Sequence, residues 1–285
     1  MATDLPRQSF VTANGLRLAY LDYGNGGAPP AVLIHATGFH KELWGPVARA
    51  LAPDYHVLAF DQRGHGDSDK PAGGNIWQGF ADDLAGFLDA LQLRSVLAVG
   101  HSSGGTAVIL TAAARPELVG RAVLVEPVVF TPGAQPSPQG DTGMGERTRK
   151  RRESFPNPEA FFQHFKGPPT FKEWTDEALW SYARHGTAPG ADGQVHLKCP
   201  PGIEAQVYES NRSVDPGPAL RKLRCPTLFI QASGRSALAP DLAERMRQAV
   251  PHLRHVQVQG AGHLVPMEQP DAVIAAIRGF VGGAP

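Results

Sequence analysis

The chain has 285 residues, an apolar fraction of 42%, and 27 basic against 27 acidic side chains. That length and apolar content suit one large α/β domain with an insertion, and zero net charge speaks against a nucleic-acid partner or the steering of a charged one. Two cysteines, Cys199 and Cys225, make no disulfide framework, and no run approaches the roughly 20 apolar residues of a membrane span.

In chain order, residues 1–10 lack the apolar core of a signal peptide, so a cytoplasmic location with no membrane partner is expected. Residues 16–22 alternate like a strand. Val32-Leu33-Ile34 is a short buried strand, and His35-Ala36-Thr37-Gly38-Phe39 follows it. Residues 42–52 carry Trp44, Val47 and Leu51 on one helical face. A second buried strand, Val57-Leu58-Ala59-Phe60, runs into Asp61-Gln62-Arg63-Gly64-His65-Gly66-Asp67-Ser68. Phe80, Leu84, Leu88 and Leu91 have amphipathic helix spacing. The apolar run 95–99 leads into Gly100-His101-Ser102-Ser103-Gly104, and helix formers occupy 106–114. After the strand Ala122-Val123-Leu124-Val125 the alternation stops at Pro127. It resumes at 225–230, passes through Val256-Gln257-Val258 and Gly260-Ala261-Gly262-His263, and ends in a helix over 272–280. Strands and helices alternating in this way predict an α/β fold with a mostly parallel, doubly wound sheet.

Residues 128–223 differ in composition. Positions 131–145 are rich in Pro, Gly, Ser and Gln and read as a loop; 158–165 and 174–184 are helical and rich in Phe, Trp and Tyr. The expected organisation is a core of 1–127 and 224–285 with a helical cap at 128–223. Some of its aromatics should face a substrate, since a closing cap presents an apolar surface. The basic run 147–152, flanked by Glu146 and Glu153, reads as the solvated face of the first cap helix.

The stretch around Ser102 carries the chemistry. G-x-S-x-G between a strand and a helix is a nucleophile elbow, a turn so tight that flanking residues must lack bulk. Ser102 has glycine at both required positions. Taking Ser103 instead would put His101 where a small residue belongs.

These blocks, in this order and spacing, resemble the α/β-hydrolase superfamily over the whole chain except its middle. The resemblance implies Ser102 as nucleophile and His263, in its glycine-rich turn, as the base. It implies an oxyanion hole formed by the amide of Ser103 and one from the loop 35–39. Ala36 stands there in place of the family's usual glycine, so either Thr37 or Gly38 supplies the second amide, with Thr37 favoured. Gly38, Phe39 and His40 are the expected substrate-binding residues. His35, His65 and His101 are expected to be structural, and Asp61 with Arg63 to lock their turn by a carboxylate–guanidinium contact.

The third member of the triad departs from the common pattern. The loop 231–240, where the family usually has an aspartate, has no carboxylate, and Ser236 stands near that position. Glu126, at the C-terminal end of the sixth strand, is the leading candidate, as in the haloalkane dehalogenase branch; Asp241 or Asp215, or no acid at all, are the alternatives. The expected activity is hydrolysis of a small-molecule carboxylic ester or lactone through an acyl-enzyme, with no metal or cofactor. C–C hydrolysis, perhydrolysis and amide hydrolysis use the same triad. A ligand-binding receptor with a hydrolase fold is the alternative of another class. Oligomeric state is not legible.

Overall fold

A computed structural model describes residues 6–71, 76–129, 142–211, 213–234 and 241–282. Its framework is an eight-stranded sheet in the order β1-β2-β4-β3-β5-β6-β10-β11. The strands are β1 (Arg7–Ala13), β2 (Leu16–Asp22), β3 (Pro30–Ile34), β4 (His56–Phe60), β5 (Val96–His101), β6 (Val119–Val125), β10 (Thr227–Ala232) and β11 (Leu253–Val258). Only β1 and β2 run antiparallel to their neighbours; every pairing from β4 to β11 is parallel. The α/β fold with a mostly parallel sheet is therefore the one expected from the sequence.

Apolar runs make the central strands because both of their faces are covered. Val32 and Ile34 of β3 enter one core cluster, and Ala31 and Leu33 the other. The first cluster is closed by α2 (Ile76–Ala90) and α3 (Ser103–Ala114), through Phe80, Leu84, Phe87, Val108 and Ile109. The second is closed by α1 (Gly45–Leu51) and α11 (Pro270–Gly282), through Val47, Leu51, Val273 and Ile277. Each such side chain, fully buried, contributes roughly 1.5–3 kcal/mol.

Between β6 and β10 the chain forms α4 (Thr142–Arg149), β7 (Ser154–Phe155), α5 (Pro158–Lys166), α6 (Asp176–His185), β8 (Thr187–Pro189), β9 (Val195–Leu197), α7 (Pro201–Glu209) and α8 (Gly217–Leu220). The small antiparallel sheet β7-β9-β8 and the strand β1 carry too little periodic signal to be read from sequence. The aromatics of this segment pack largely on one another: Phe155, Phe161, Phe162, Phe165, Trp174 and Tyr182 share a cluster. Leu43, Leu264 and Met267 from outside the segment join that cluster, and the Thr175 amide donates to the Met267 carbonyl, so the insertion rests on the loop that follows His263. The final helices are α9 (Leu242–Ala249) and α10 (Val265–Glu268). Most of the 131–145 loop lies outside the described residues.

Two local expectations need correction. Arg151 is not on a solvated face. Its guanidinium bonds the Glu204 carboxylate at 2.6 Å and the Tyr182 hydroxyl at 2.7 Å, both largely buried. The basic run 147–152 hides this, because the partner lies 53 residues away. Nor do Asp61 and Arg63 pair with each other. Arg63 forms a two-pronged ion pair with Asp83 at 2.6 and 2.7 Å, while Asp61 takes the ammonium of Lys41, a fully buried lysine that also contacts Glu42 and Asp67. Burial alone would lower the Lys41 ammonium, but the charge of Asp61, then of Glu42, holds it above its ordinary value.

Candidate active site

Ser102 lies between the last residue of β5 and the first turn of α3, with φ 53° and ψ −114°. A non-glycine residue with positive φ is strained by about 1–3 kcal/mol and persists only where its surroundings over-determine it. Here they do. A Cβ on Gly104 would lie 2.5 Å from the Ile34 carbonyl oxygen, and one on Gly100 would collide with the Gly104 carbonyl. Both glycines are needed for helix α3 to pack against β3 and β5. Ser103 is the first residue of α3, so its amide has no acceptor within the helix.

The parallel ladder positions the second group. His101 is in register with Val125, and the Ser102 amide donates to the Val125 carbonyl at 2.9 Å. Glu126 therefore leaves β6 beside the nucleophile. It too has a positive φ, 46°, and is fully buried. One carboxylate oxygen, Oε1, accepts from the Ala232 amide at 2.8 Å, at the end of β10. The other, Oε2, is 3.1 Å from Nδ1 of His263, and Nε2 of the same ring is 3.0 Å from Oγ of Ser102. Serine, histidine and carboxylate thus form one hydrogen-bonded series, gathered at the C-terminal edge of the sheet.

The alternative acids stand elsewhere. Asp241 is exposed at the N-terminus of α9, in an ion pair with Arg245 at 3.0 Å. Asp215 caps the Gly217 amide at 2.8 Å. Ser236 lies outside the described residues.

The loop after β3 supplies the opposing wall. Gly38 has φ +83°, and the Glu204 carboxylate rests against its Cα, where a Cβ would lie 2.7 Å from Oε1. Burial pushes the nearby thiol of Cys199 up. Phe39 packs edge-on against Tyr182 and tilted against Trp174. His40 is buried in the layer behind, with Nδ1 2.8 Å from Glu42 and its ring stacked on Tyr182. On the open side of His263 lies a cavity of about 230 Å³ lined by Pro169, Thr170 and Glu173 from the insertion and by Gly262, Leu264 and Glu268.

Three further histidines surround the site without entering the series. His35 donates from Nδ1 to the Ala36 carbonyl and accepts the Gln62 amide at Nε2. His65 bonds the Arg63 carbonyl, and His101 the His263 carbonyl. Burial pushes each ring down to about 3. The unfolded value is near 6.5, so between pH 6.5 and 3 the unfolded chain binds a proton at each ring and the folded chain does not. Stability is therefore expected to fall as pH falls through that window, by about 1.4 kcal/mol per pH unit for each fully neutral histidine. Urea unfolding between pH 7.5 and 5 checks this. Uptake approaching three protons at pH 5 is expected, and uptake below one would contradict it.

A serine–histidine–carboxylate series built on strand ends of a parallel sheet, with the serine on a strained strand-to-helix turn, defines the α/β-hydrolase class. The chain belongs to the alpha/beta hydrolase family, whose model matches residues 31–276. It is 26% identical to a 2-(acetamidomethylene)succinate hydrolase of Mesorhizobium japonicum, over 99% of each chain. It is 29% identical to an N-formylmaleamate deformylase of Pseudomonas putida, over 95% of each. The crystal structure of an E-2-(acetamidomethylene)succinate hydrolase superposes with a TM-score of 0.86 at 26% identity, covering 98% of this chain and 100% of that one. Among the described residues, no helix is long and apolar enough to cross a membrane.

Proposed function

We propose that the protein is a serine hydrolase that cleaves a small-molecule carboxylic ester or lactone through an acyl-enzyme, with residues 128–223 as a cap over the site. The observation that carries this reading is the unbroken series from Ser102 Oγ through His263 to Glu126, at 3.0 and 3.1 Å. With its proton on Nδ1, His263 donates to Glu126 and accepts the Ser102 proton at Nε2 as Oγ attacks the carbonyl. The positive ring that results is stabilised by the buried carboxylate, itself held by the Ala232 amide. The developing oxyanion is taken up by the amides of Ser103 and Thr37. His263 then protonates the leaving alcohol, and water releases the acid by the same path. No step calls for a metal or cofactor.

Hydrolysis of an amide-type bond is the second reading. It is favoured by two full-length relatives, whose named substrates carry an acetamido group and an N-formyl amide. The same series serves both, with the leaving nitrogen protonated in place of oxygen. Steady-state turnover of p-nitrophenyl esters, simple lactones and N-acyl amides decides between them. The ester reading expects multiple turnovers on esters or lactones. Turnover confined to amides would replace it, and at most one slow turnover on any substrate would indicate a receptor.

A further inference from the structure

The sheet itself does not set the distance between nucleophile and base. Ser102 follows β5 and His263 follows β11, with β6 and β10 between them. Three ladder steps of about 4.8 Å separate the two strands, and small changes in twist accumulate across them. The loop that carries His263 follows β11. It begins Gly260-Ala261-Gly262, with φ +75° at Gly260. The start of the loop is tied to the residues just past the end of β10, the Gly234 amide donating to the Ala261 carbonyl at 2.8 Å and the Gly260 amide to the Ser233 hydroxyl at 2.9 Å, and two further hydrogen bonds lie nearer the histidine. On the near side, the Gly262 amide donates to Oε2 of Glu268, a partner six residues along the same loop. On the far side, the His263 carbonyl accepts from Nε2 of His101 at 2.8 Å. That second bond leaves the loop altogether and ends on the residue immediately before the nucleophile.

We propose that His101 is a positioning residue: its ring ties the backbone of His263 directly to the nucleophile elbow and so sets the distance from Nε2 of His263 to Oγ of Ser102. The geometry demands a particular side chain. His101 is 1% exposed, and its ring lies 5.4 Å from the ring of His263 at 44°. Its proton must be on Nε2 to meet the carbonyl. Burial, and next the charge of His263, push the ring down to about 3, so it serves as a neutral donor at neutral pH. A charged ring at that distance would oppose the imidazolium that the reaction forms; a neutral one does not.

The proposal rests on the triad reading but has its own test. His101→Phe keeps the ring volume and removes the donor. His101→Gln keeps an N–H at nearly the same reach. His101→Met fills the site with an adaptable apolar chain if the Phe variant does not fold. Two readouts are taken on each folded variant: the second-order rate of fluorophosphonate labelling at Ser102, and kcat and KM on the best ester or amide. The Phe or Met variant is expected to lose roughly 10- to 100-fold in both labelling rate and kcat, with KM and melting temperature near wild type, since a base displaced by about 1 Å costs on that order. The Gln variant is expected to recover most of the loss. Wild-type rates in folded His101→Phe or His101→Met would overturn the proposal. So would a Gln variant as slow as the others, or a loss confined to KM. Absence of labelling in the wild type would instead remove the triad reading beneath it.

Discussion

Ser102→Ala is expected to abolish fluorophosphonate labelling and to lower kcat by roughly 10⁴-fold or more, with KM little changed. Ser102 is the one residue of the elbow whose Oγ meets His263, at 3.0 Å, and its backbone is held in a strained conformation that only this turn explains. The alanine removes the attacking atom and leaves the rest of the site standing. Its methyl group occupies the space of the serine Cβ, so the fold is expected to be unchanged, and circular dichroism and thermal melting provide that control. Ser103→Ala is the matched comparison. Ser103 contributes its amide to the proposed oxyanion hole, and the amide survives the substitution. Its hydroxyl lies 3.4 Å from the Gln62 amide nitrogen, a long contact whose loss costs about 1 kcal/mol or less. Labelling that persisted in Ser102→Ala and vanished in Ser103→Ala would move the nucleophile.

Glu126→Gln is expected to lower kcat by roughly 10²- to 10⁴-fold, again with a small effect on KM. In the proposed mechanism the carboxylate has two tasks. Oε2 accepts from Nδ1 of His263 and so fixes the tautomer that leaves Nε2 free for the serine proton. Its charge then stabilises the positive ring. An amide oxygen performs the first task weakly and the second hardly at all, and an amide nitrogen turned toward Nδ1 would favour the wrong tautomer. Oε1 meanwhile accepts from the Ala232 amide, a bond that the glutamine oxygen can keep, so folding should be preserved. Asp241→Asn is the contrast. Its ion pair joins an exposed carboxylate to the mostly buried guanidinium of Arg245, and its loss is expected to cost about 1 kcal/mol or less in stability and nothing in turnover. An inactive Asp241→Asn beside a healthy Glu126→Gln would reverse the assignment.

The parts of this architecture written locally were legible in the sequence. The strands with continuous apolar runs, such as Val32 to Ile34, announce burial on both faces, and the glycines flanking Ser102 announce a turn that tolerates nothing larger. Glu126 is proposed through the family resemblance, because the loop that usually carries the acid has no carboxylate and the sixth strand ends on one; its carboxylate lies 3.1 Å from Nδ1 of His263. What was not legible depends on partners far apart in the chain. Lys41 gives no hint that it is buried, since Asp61 and Asp67 come from a different turn. Arg151 sits in a basic run that reads as surface, and its partners Glu204 and Tyr182 lie 53 and 31 residues away. The hydrogen bond from His101 to the His263 carbonyl spans 162 residues and two intervening strands. The small sheet β7-β9-β8 uses strands of two and three residues, too short for any period to show.

In the proposed reaction an acyl group passes through Ser102 under the control of His263 and Glu126. The most direct test is intact-protein mass spectrometry of enzyme quenched with acid during turnover of a slowly deacylating ester, followed by peptide mapping. One acyl group per chain is expected, on the peptide that contains Ser102 and at that residue, absent from Ser102→Ala and slow to form in Glu126→Gln. Turnover with no covalent adduct at any quench time, or an adduct mapped to Ser103, Cys199 or any other residue, would contradict it.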